Sequence, residues 1–322
     1  MATTREDLDR IWESCLADIE QRLMDMAAAR SDLMNQASQH IIKAGGKRFR
    51  PGLVVLASQL SGDAPRERIV DAAVVVELTH VASLYHDDVM DEASVRRSAP
   101  SANARWSNSM AILVGDYLFA RASAVVAQLG PDYVALQADT FARLVTGQIN
   151  ETTGPADGVD AFEHYLAVLA DKTGSLIAAS TVFGGMVAGL PAEQLEALGQ
   201  FGEEIGLVFQ LSDDLLDVTS DVSGKSPGTD LREGVLTLPT LLALEDESEA
   251  NARLRELISG PVSEEDLPEA LRLLRQHGAI DAARESIAAR AEKARAHLAA
   301  LPAGAARDAL SEMCDSVVTR SV

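Results

Sequence analysis

Apolar residues recur at helical spacing along almost the whole chain. Leu8, Ile11, Trp12, Cys15, Leu16, Ile19 and Leu23 mark a first amphipathic helix. A second runs from about Leu33 to Lys43 and stops at Gly45-Gly46, and Pro51 sits in the first turn of the next. Pro51 to Leu60 reads as a short apolar helix, Gly62 to Pro65 as a turn, and Glu67 onward as a long helix whose apolar run ends in a burst of charge after Glu77. Ser98 to Asn108, rich in Ser, Asn and Ala, reads as a loop. Met110 to Gln128 and Asp132 to Glu151 are two more helices. After a break at Gly154 to Gly158 the pattern resumes from Phe162 to Leu190 and from Glu193 to Val218. Asp221 to Glu233 is a polar, Gly/Pro-rich loop able to close over a ligand, and Leu238 to Val322 is a set of amphipathic helices. Few runs alternate at period two, so the pattern predicts an all-α protein.

Composition agrees and adds one exclusion. The 322 residues are 47% hydrophobic and only 4% aromatic, with a formal net charge of -21. Such a field repels polyanions, which argues against nucleic acid or an anionic membrane as a general partner and makes local basic clusters informative. Cys15 and Cys314 are the only cysteines, so neither a disulfide framework nor a thiolate zinc site is expected. The N-terminus lacks the order of a signal peptide. The longest uncharged apolar run, Leu176 to Leu190, falls short of the roughly 20 residues that span a bilayer. These features predict a cytoplasmic chain with no transmembrane segment.

The chemistry concentrates in two places. Asp87-Asp88-Val-Met-Asp91 closes one long apolar helix, and Asp213-Asp214-Leu-Leu-Asp217 closes another. On a helix Asp87 and Asp91 project from one face with Asp88 beside them, so three carboxylates are expected to crowd one small surface and to need a hard divalent cation. A single triplet in a chain this acidic reads equally well as a solvated helix face. Its recurrence in a matching context favours a shared role. Basic residues stand at Lys47-Arg48-Phe49-Arg50 on a Gly-flanked turn, at Arg96-Arg97, at Lys172-Thr173 inside an apolar helix, and at Lys225 in the polar loop. Each could be solvated or snorkelling; exposed backbone N–H groups with Lys and Arg also suit an oxyanion. Carboxylate triplets, basic clusters and an apolar interior together fit a reaction in which a diphosphate leaves and the resulting carbocation is sheltered from water. Because both triplets must meet the same metals, residues 1–322 are expected to form one domain.

The run Gly46-Lys47-Arg48-Phe49-Arg50-Pro51, His80 with Leu84 through Asp91, Arg96-Arg97, Gly115-Asp116, Lys172-Thr173, and Phe209-Gln210 through Asp217 with Gly224-Lys225 and Gly228 to Gly234 resembles the trans-isoprenyl (polyprenyl) diphosphate synthases, of the bacterial long-chain kind. The match runs in order from about residue 40 to 240. The resemblance implies an isoprenoid-synthase fold, a helical bundle around a central apolar cavity with the two aspartate motifs at its mouth, and a homodimer. It implies head-to-tail condensation of isopentenyl diphosphate with an allylic prenyl diphosphate, diphosphate being released and taking the proton. Asp87, Asp88, Asp91, Asp213, Asp214 and Asp217 would hold Mg²⁺, three ions per site, with Mn²⁺ as a substitute. Lys47, Arg50, His80 and Arg97 would bind isopentenyl diphosphate; Arg96, Lys172, Gln210 and Lys225 the allylic diphosphate; Thr173 would lie beside the reacting carbons. Asp87, Asp88, Asp91, Arg96, Lys172 and Asp213 would be the catalytic set. Transient membrane contact would accompany product release.

Val235 departs from the family, which often has lysine after the Glu-Gly of the lid. In the family the residues four and five before the first Asp line the tail pocket; here they are Ser83 and Ala82, both small, with Tyr85 on another helix face. That predicts a deep pocket and a long product of the kind used for quinone side chains, the alternative being a geranylgeranyl or farnesyl product. A class I terpene cyclase is disfavoured by the second DDxxD. A non-catalytic subunit of a heteromeric synthase is disfavoured by two intact triplets.

Overall fold

The computed structural model describes residues 4–61, 64–220 and 227–319. Among the described residues seventeen α-helices account for nearly all of the regular structure, and the only strands are Val95–Arg96 (β1) and Ala99–Pro100 (β2), an antiparallel pair. The Cα trace falls into two compact units, one of Met1–Ala142, Leu176–Gly199 and Ala300–Leu310, the other of Arg143–Ser175, Gln200–Ala299 and Ser311–Val322.

In the first unit, α1 (Arg5–Ala27) starts at a capping box in which Thr4 and Asp7 satisfy each other's backbone amides. The expected second helix is two pieces, α2 (Asp32–Ser38) and α3 (His40–Lys43). A left-handed Arg48 (φ 48°) then leads into α4 (Phe49–Ser58). The long α5 (Arg66–Met90) is buried over most of its circumference, which is why its sequence shows little polar face. It packs chiefly against α7 (Asn108–Leu129), then α4 and α1. Helix α5 ends at Met90, with Asp91 as its C-cap, so Arg96 and Arg97 belong to the β1–β2 ribbon rather than to a helical continuation. The expected loop 98–108 contains a short α6 (Ala102–Arg105). Tyr85 is fully buried on its own face, donating to the Ala37 carbonyl and accepting from the Ile41 amide.

Helix α8 (Pro131–Thr153) follows. The predicted helix 162–190 is α9 (Ala161–Leu169) and α10 (Ser175–Val187) joined by a π-helical turn, Ala170–Gly174. Helix α11 (Ala192–Thr219) ends in the second triplet. Then come α12 (Thr229–Glu233), α13 (Leu238–Leu244), α14 (Ala252–Ile258), α15 (Leu267–Gln276), α16 (Ala279–His297) and α17 (Ala305–Thr319). In the second unit Arg143 bridges Asp171 at 2.8 Å and Glu203 at 2.9 Å, while α13 packs on α14, α15 and α16. Cys15 and Cys314 are both buried thiols.

Among the described residues three helical segments are long and apolar enough to cross a membrane: Arg66–Met90, Asn108–Leu129 and Ala161–Val187. In the first, 83% of the apolar window is buried within the protein, so its hydrophobicity is used in packing; in Asn108–Leu129 the figure is 39%. Ile112 and Leu113 of α7 are 44% and 60% exposed.

Gly184 of α10 allows close approach to α4, since a Cβ there would lie 2.4 Å from the Val54 carbonyl oxygen and 2.8 Å from Ala57 Cβ. Both obstacles are rigid. Gly184→Ala is expected to lower unfolding stability by about 1–3 kcal/mol through overpacking, read as a shift in the urea midpoint.

Candidate functional site

The basic turn is built around a buried ion pair. Arg48 is 4% exposed and donates from Nη1 to Glu77 Oε1 at 2.9 Å and from Nε to Glu20 Oε1 at 2.6 Å. It also donates to the Ile42 carbonyl at 3.1 Å. Glu77, 2% exposed, sits 3.7 Å from Arg97 Nη2 as well. Burial raises the Glu77 carboxyl, and Arg48, Arg97 and Arg50 oppose that rise. Arg97 donates to the carbonyls of Ile41 (3.2 Å) and Gly45. Gly46 is needed beside this cluster: its φ is 151°, and a Cβ would meet Arg97 Cζ at 2.9 Å.

Arg50 and His80 complete the basic group. Arg50 has a buried Nε with no hydrogen-bond partner, and burial lowers its guanidinium to about 10, with Glu77 opposing. His80 is held well below its usual range, first by burial and then by Arg50, Arg97, Arg96 and Arg48. It is therefore a neutral imidazole among guanidiniums. Lys47 is exposed on the same turn. Of the residues expected to bind isopentenyl diphosphate, Arg50, His80 and Arg97 thus share one electrostatic neighbourhood. Arg48, only part of a motif in the sequence, holds it together with Glu77 and Glu20, which spacing gave no means of pairing.

The first triplet does not crowd one surface. Asp87 is half-buried, Asp91 is exposed, and Asp88 is fully buried. Arg96 Nε donates to Asp88 Oδ1 at 2.6 Å, and Asn103 Nδ2 to the Asp88 carbonyl at 2.9 Å. Burial raises the Asp88 carboxyl while Arg96 opposes the rise. The reason is rotational: on a helix adjacent residues point about 100° apart, so Asp88 turns inward where Asp87 and Asp91 do not. Asp88 Oδ2 is buried with no hydrogen-bond partner, the kind of acceptor a hard cation satisfies. Among the described residues no three His, Cys, Asp or Glu side chains converge on one point. Open carboxylate sets fit Mg²⁺-type ions, which take one or two protein oxygens and complete their shells with water and substrate phosphate.

The second triplet is also divided. Asp214 is buried and accepts from Tyr165 Oη on one oxygen and from Gln210 Nε2 at 2.9 Å on the other. Burial lifts its carboxyl to about 6 against the pull of these two donors. Asp217 accepts the backbone amides of Thr229 (3.3 Å) and Asp230 (3.2 Å), at the start of α12. Asp213 is half-buried. Gln210, expected on a substrate phosphate, is here a donor to Asp214. Tyr165 was not singled out by the sequence; a phenol in an apolar helix seven residues before Lys172 was its only signal.

Lys172 lies in the π turn and pairs with Glu151, and Thr173 beside it is half-buried. Gly147 makes room, since a Cβ there would come 2.5 Å from the Lys172 amide. Lys225 lies outside the described residues. Val235 is 44% exposed, its amide donating to the Asp230 carbonyl at 2.9 Å. Ala82 and Ser83 are both buried on α5.

Comparison with known proteins agrees with this inventory. The polyprenyl synthetase family model matches residues 31–274. A nonaprenyl diphosphate synthase of Mycobacterium tuberculosis is 49% identical over 309 residues, 95% of this chain and 92% of that protein. Among solved structures, geranylgeranyl pyrophosphate synthase from Corynebacterium glutamicum, complexed with calcium and isoprenyl diphosphate, is 43% identical with a TM-score of 0.89 over 99% of both chains. A decaprenyl diphosphate synthase from Rhodobacter capsulatus is 33% identical, again with a TM-score of 0.89 and 99% coverage of both. With two aspartate triplets, the buried basic turn and similarity along nearly its full length, this chain belongs to the polyprenyl synthetase family and has its all-α isoprenoid-synthase fold.

Proposed function

We propose that the protein condenses isopentenyl diphosphate with an allylic prenyl diphosphate, head to tail and trans, as a Mg²⁺-dependent long-chain polyprenyl diphosphate synthase working as one domain. The observations that carry this reading are the two triplets, each with a buried middle aspartate tied to a dedicated donor, and a basic cluster richer in cation than in acid. Arg50, His80, Arg97 and Lys47 receive isopentenyl diphosphate, with neutral His80 donating a hydrogen bond rather than adding charge. Lys172, Arg96, Gln210 and Lys225 serve the allylic diphosphate, and Thr173 the reacting carbons. Asp87, Asp88, Asp91, Asp213 and Asp217 supply the carboxylate oxygens for Mg²⁺, which when bound draws charge from the leaving diphosphate. Asp214, which accepts from Tyr165 and Gln210, anchors its helix.

Small side chains at Ala82 and Ser83, and the name of the 49%-identical relative, support a long product. The exposed Ile112 and Leu113 of α7 support a homodimer through that face. The protein works in the cytoplasm and meets the membrane when its product leaves.

Incubating the purified protein with isopentenyl diphosphate and allylic primers of increasing length, then chromatographing the dephosphorylated products, tests the activity. Elongation is expected with Mg²⁺ and its loss with EDTA; no elongation of any primer would reject the reading. Ala82→Phe is expected to shorten the products in the same chromatogram.

Asp214 also yields a pH signature. Its folded pKa, about 6, lies above the unfolded value of 3.8. The folded state therefore binds the proton more tightly, and this stabilisation is complete below 3.8 and fades as pH rises through 6. In EDTA, urea midpoints of wild type relative to Asp214→Asn are expected to fall over that window, by up to about 3 kcal/mol in unfolding free energy.

A further inference from the structure

Helix α5 ends in a turn that its own sequence works against. Asp87 and Asp88 stand in that turn, Asp91 caps it and Glu92 follows, with no basic residue in the turn, while the C-terminal end of a helix already carries partial negative charge. Left alone, such a turn tends to unwind. It is closed by a Schellman pairing, the Ala93 amide donating to the Asp88 carbonyl at 3.0 Å and the Glu92 amide to the Val89 carbonyl at 3.4 Å. That pairing needs a left-handed residue after the cap, a place glycine usually fills; here it is Glu92, with φ 49°. The turn is repelled and strained at once, so support has to come from outside α5.

Helix α6 provides it. Asn103 Nδ2 donates at 2.9 Å to the same Asp88 carbonyl that accepts from Ala93, so both lone pairs of that oxygen are used. Arg96 meanwhile holds the Asp88 carboxylate, and residue 88 is gripped at both ends. Ser101, fully buried at the N-cap of α6, seats Asn103: its hydroxyl donates to the Ala93 carbonyl at 2.5 Å and its amide to the Ser94 carbonyl at 3.0 Å. Asn103 Oδ1 and Asp88 Oδ2 are both buried with no hydrogen-bond partner among the described residues. Two unanswered acceptors beside the carboxylates leave this corner short of positive charge, which a divalent cation with its waters supplies.

We propose that Asn103 is a positioning residue for the first triplet, holding the last turn of α5 in the shape that presents its carboxylates to a divalent cation. This rests on the reading of the triplet as a metal site and adds to it a residue outside the motif. Through the Asp88 carbonyl, Asn103 fixes the backbone that carries Asp87 on one side and Asp91 on the other. Without it, repulsion among the acids is relieved by unwinding, and the cation has to rebuild the turn as it binds. The cost then falls on metal affinity rather than on the chemical step.

Calorimetric titration of an allylic diphosphate into the protein at a series of Mg²⁺ concentrations, with isopentenyl diphosphate left out, reads this without turnover. For Asn103→Ala the Mg²⁺ concentration giving half-maximal binding is expected to rise about tenfold, the size of effect one lost hydrogen bond produces. Asn103→Asp keeps the shape but sets an acceptor against the carbonyl, and is expected to raise it further. In turnover assays, saturating Mg²⁺ is expected to bring the maximal rate of Asn103→Ala back to within about threefold of wild type, with KM for isopentenyl diphosphate changed by less than about twofold. Ser101→Ala loosens the same grip and is expected to shift the Mg²⁺ requirement in the same direction by about threefold, which keeps the test open if the Asn103 variants do not fold. Folded variants with a lower urea midpoint and the wild-type Mg²⁺ requirement would overturn the positioning role while leaving the synthase reading intact. Wild-type binding of the allylic diphosphate that ignores Mg²⁺ would overturn the metal reading of the triplet and the role of Asn103 with it.

Discussion

A carboxylate removed from water organises the first unit. Glu77 stands in the middle of α5 with Arg48 and Arg97 on it and Arg50 close enough to oppose its neutralisation. Breaking such a pair from one side costs about 3–5 kcal/mol, so neither partner is easily exchanged alone. Glu20 saturates Arg48 from α1, which leaves the balance of the cluster positive. That surplus is held by Arg50 and Arg97 in partly desolvated surroundings, where Glu77 and, more weakly, Asp87 and Glu20 are the acids that act on them. An incoming anion is the natural complement. The same pairing ties α1, the basic turn, α5 and the ribbon together, so the architecture of this unit and the positive balance of its basic turn have one physical source.

The two triplets share letters and, more tellingly, a division of labour. In each, the middle aspartate is buried and raised by desolvation, and in each a specific donor holds it: Arg96 on Asp88, Tyr165 with Gln210 on Asp214. In each, the last aspartate stands near a helix end, Asp91 as the cap of α5 and Asp217 in the last turn of α11, gathering the amides that begin α12. A DDxxD motif here has a buried middle acid, held by its own donor, flanked by more solvent-accessible ones.

Much of this was legible in the chain. Helical periodicity located the long helices within a few residues, because their apolar faces are buried on packed neighbours. The recurrence of the triplet pointed to both sets of carboxylates, and the Gly-flanked basic turn to the cluster that holds Arg48, Arg50 and Arg97. What escaped were facts of three-dimensional pairing. No spacing rule brings Glu20 to Arg48 across 28 residues, or Tyr165 to Asp214 across 49. The apparent loop 98–108 conceals a ribbon whose left-handed Arg97 and Ser98 (φ 51° and 62°) turn the backbone so that neighbouring arginines reach different acids. The three-acid surface was expected from i,i+4 spacing alone, which says nothing about where the intervening residue points.

The π turn at Ala170–Gly174 has a consequence for how this chain tolerates change in length. Such a turn holds one residue more than a regular helix needs, so side chains before and after it differ in phase by about 100°. Deleting a single residue there would yield an unbroken α-helix and rotate one half against the other, moving Lys172 away from Glu151 and closing the gap that Gly147 leaves for its amide. Insertions and deletions, harmless in the polar connections, would at this point re-aim every side chain downstream.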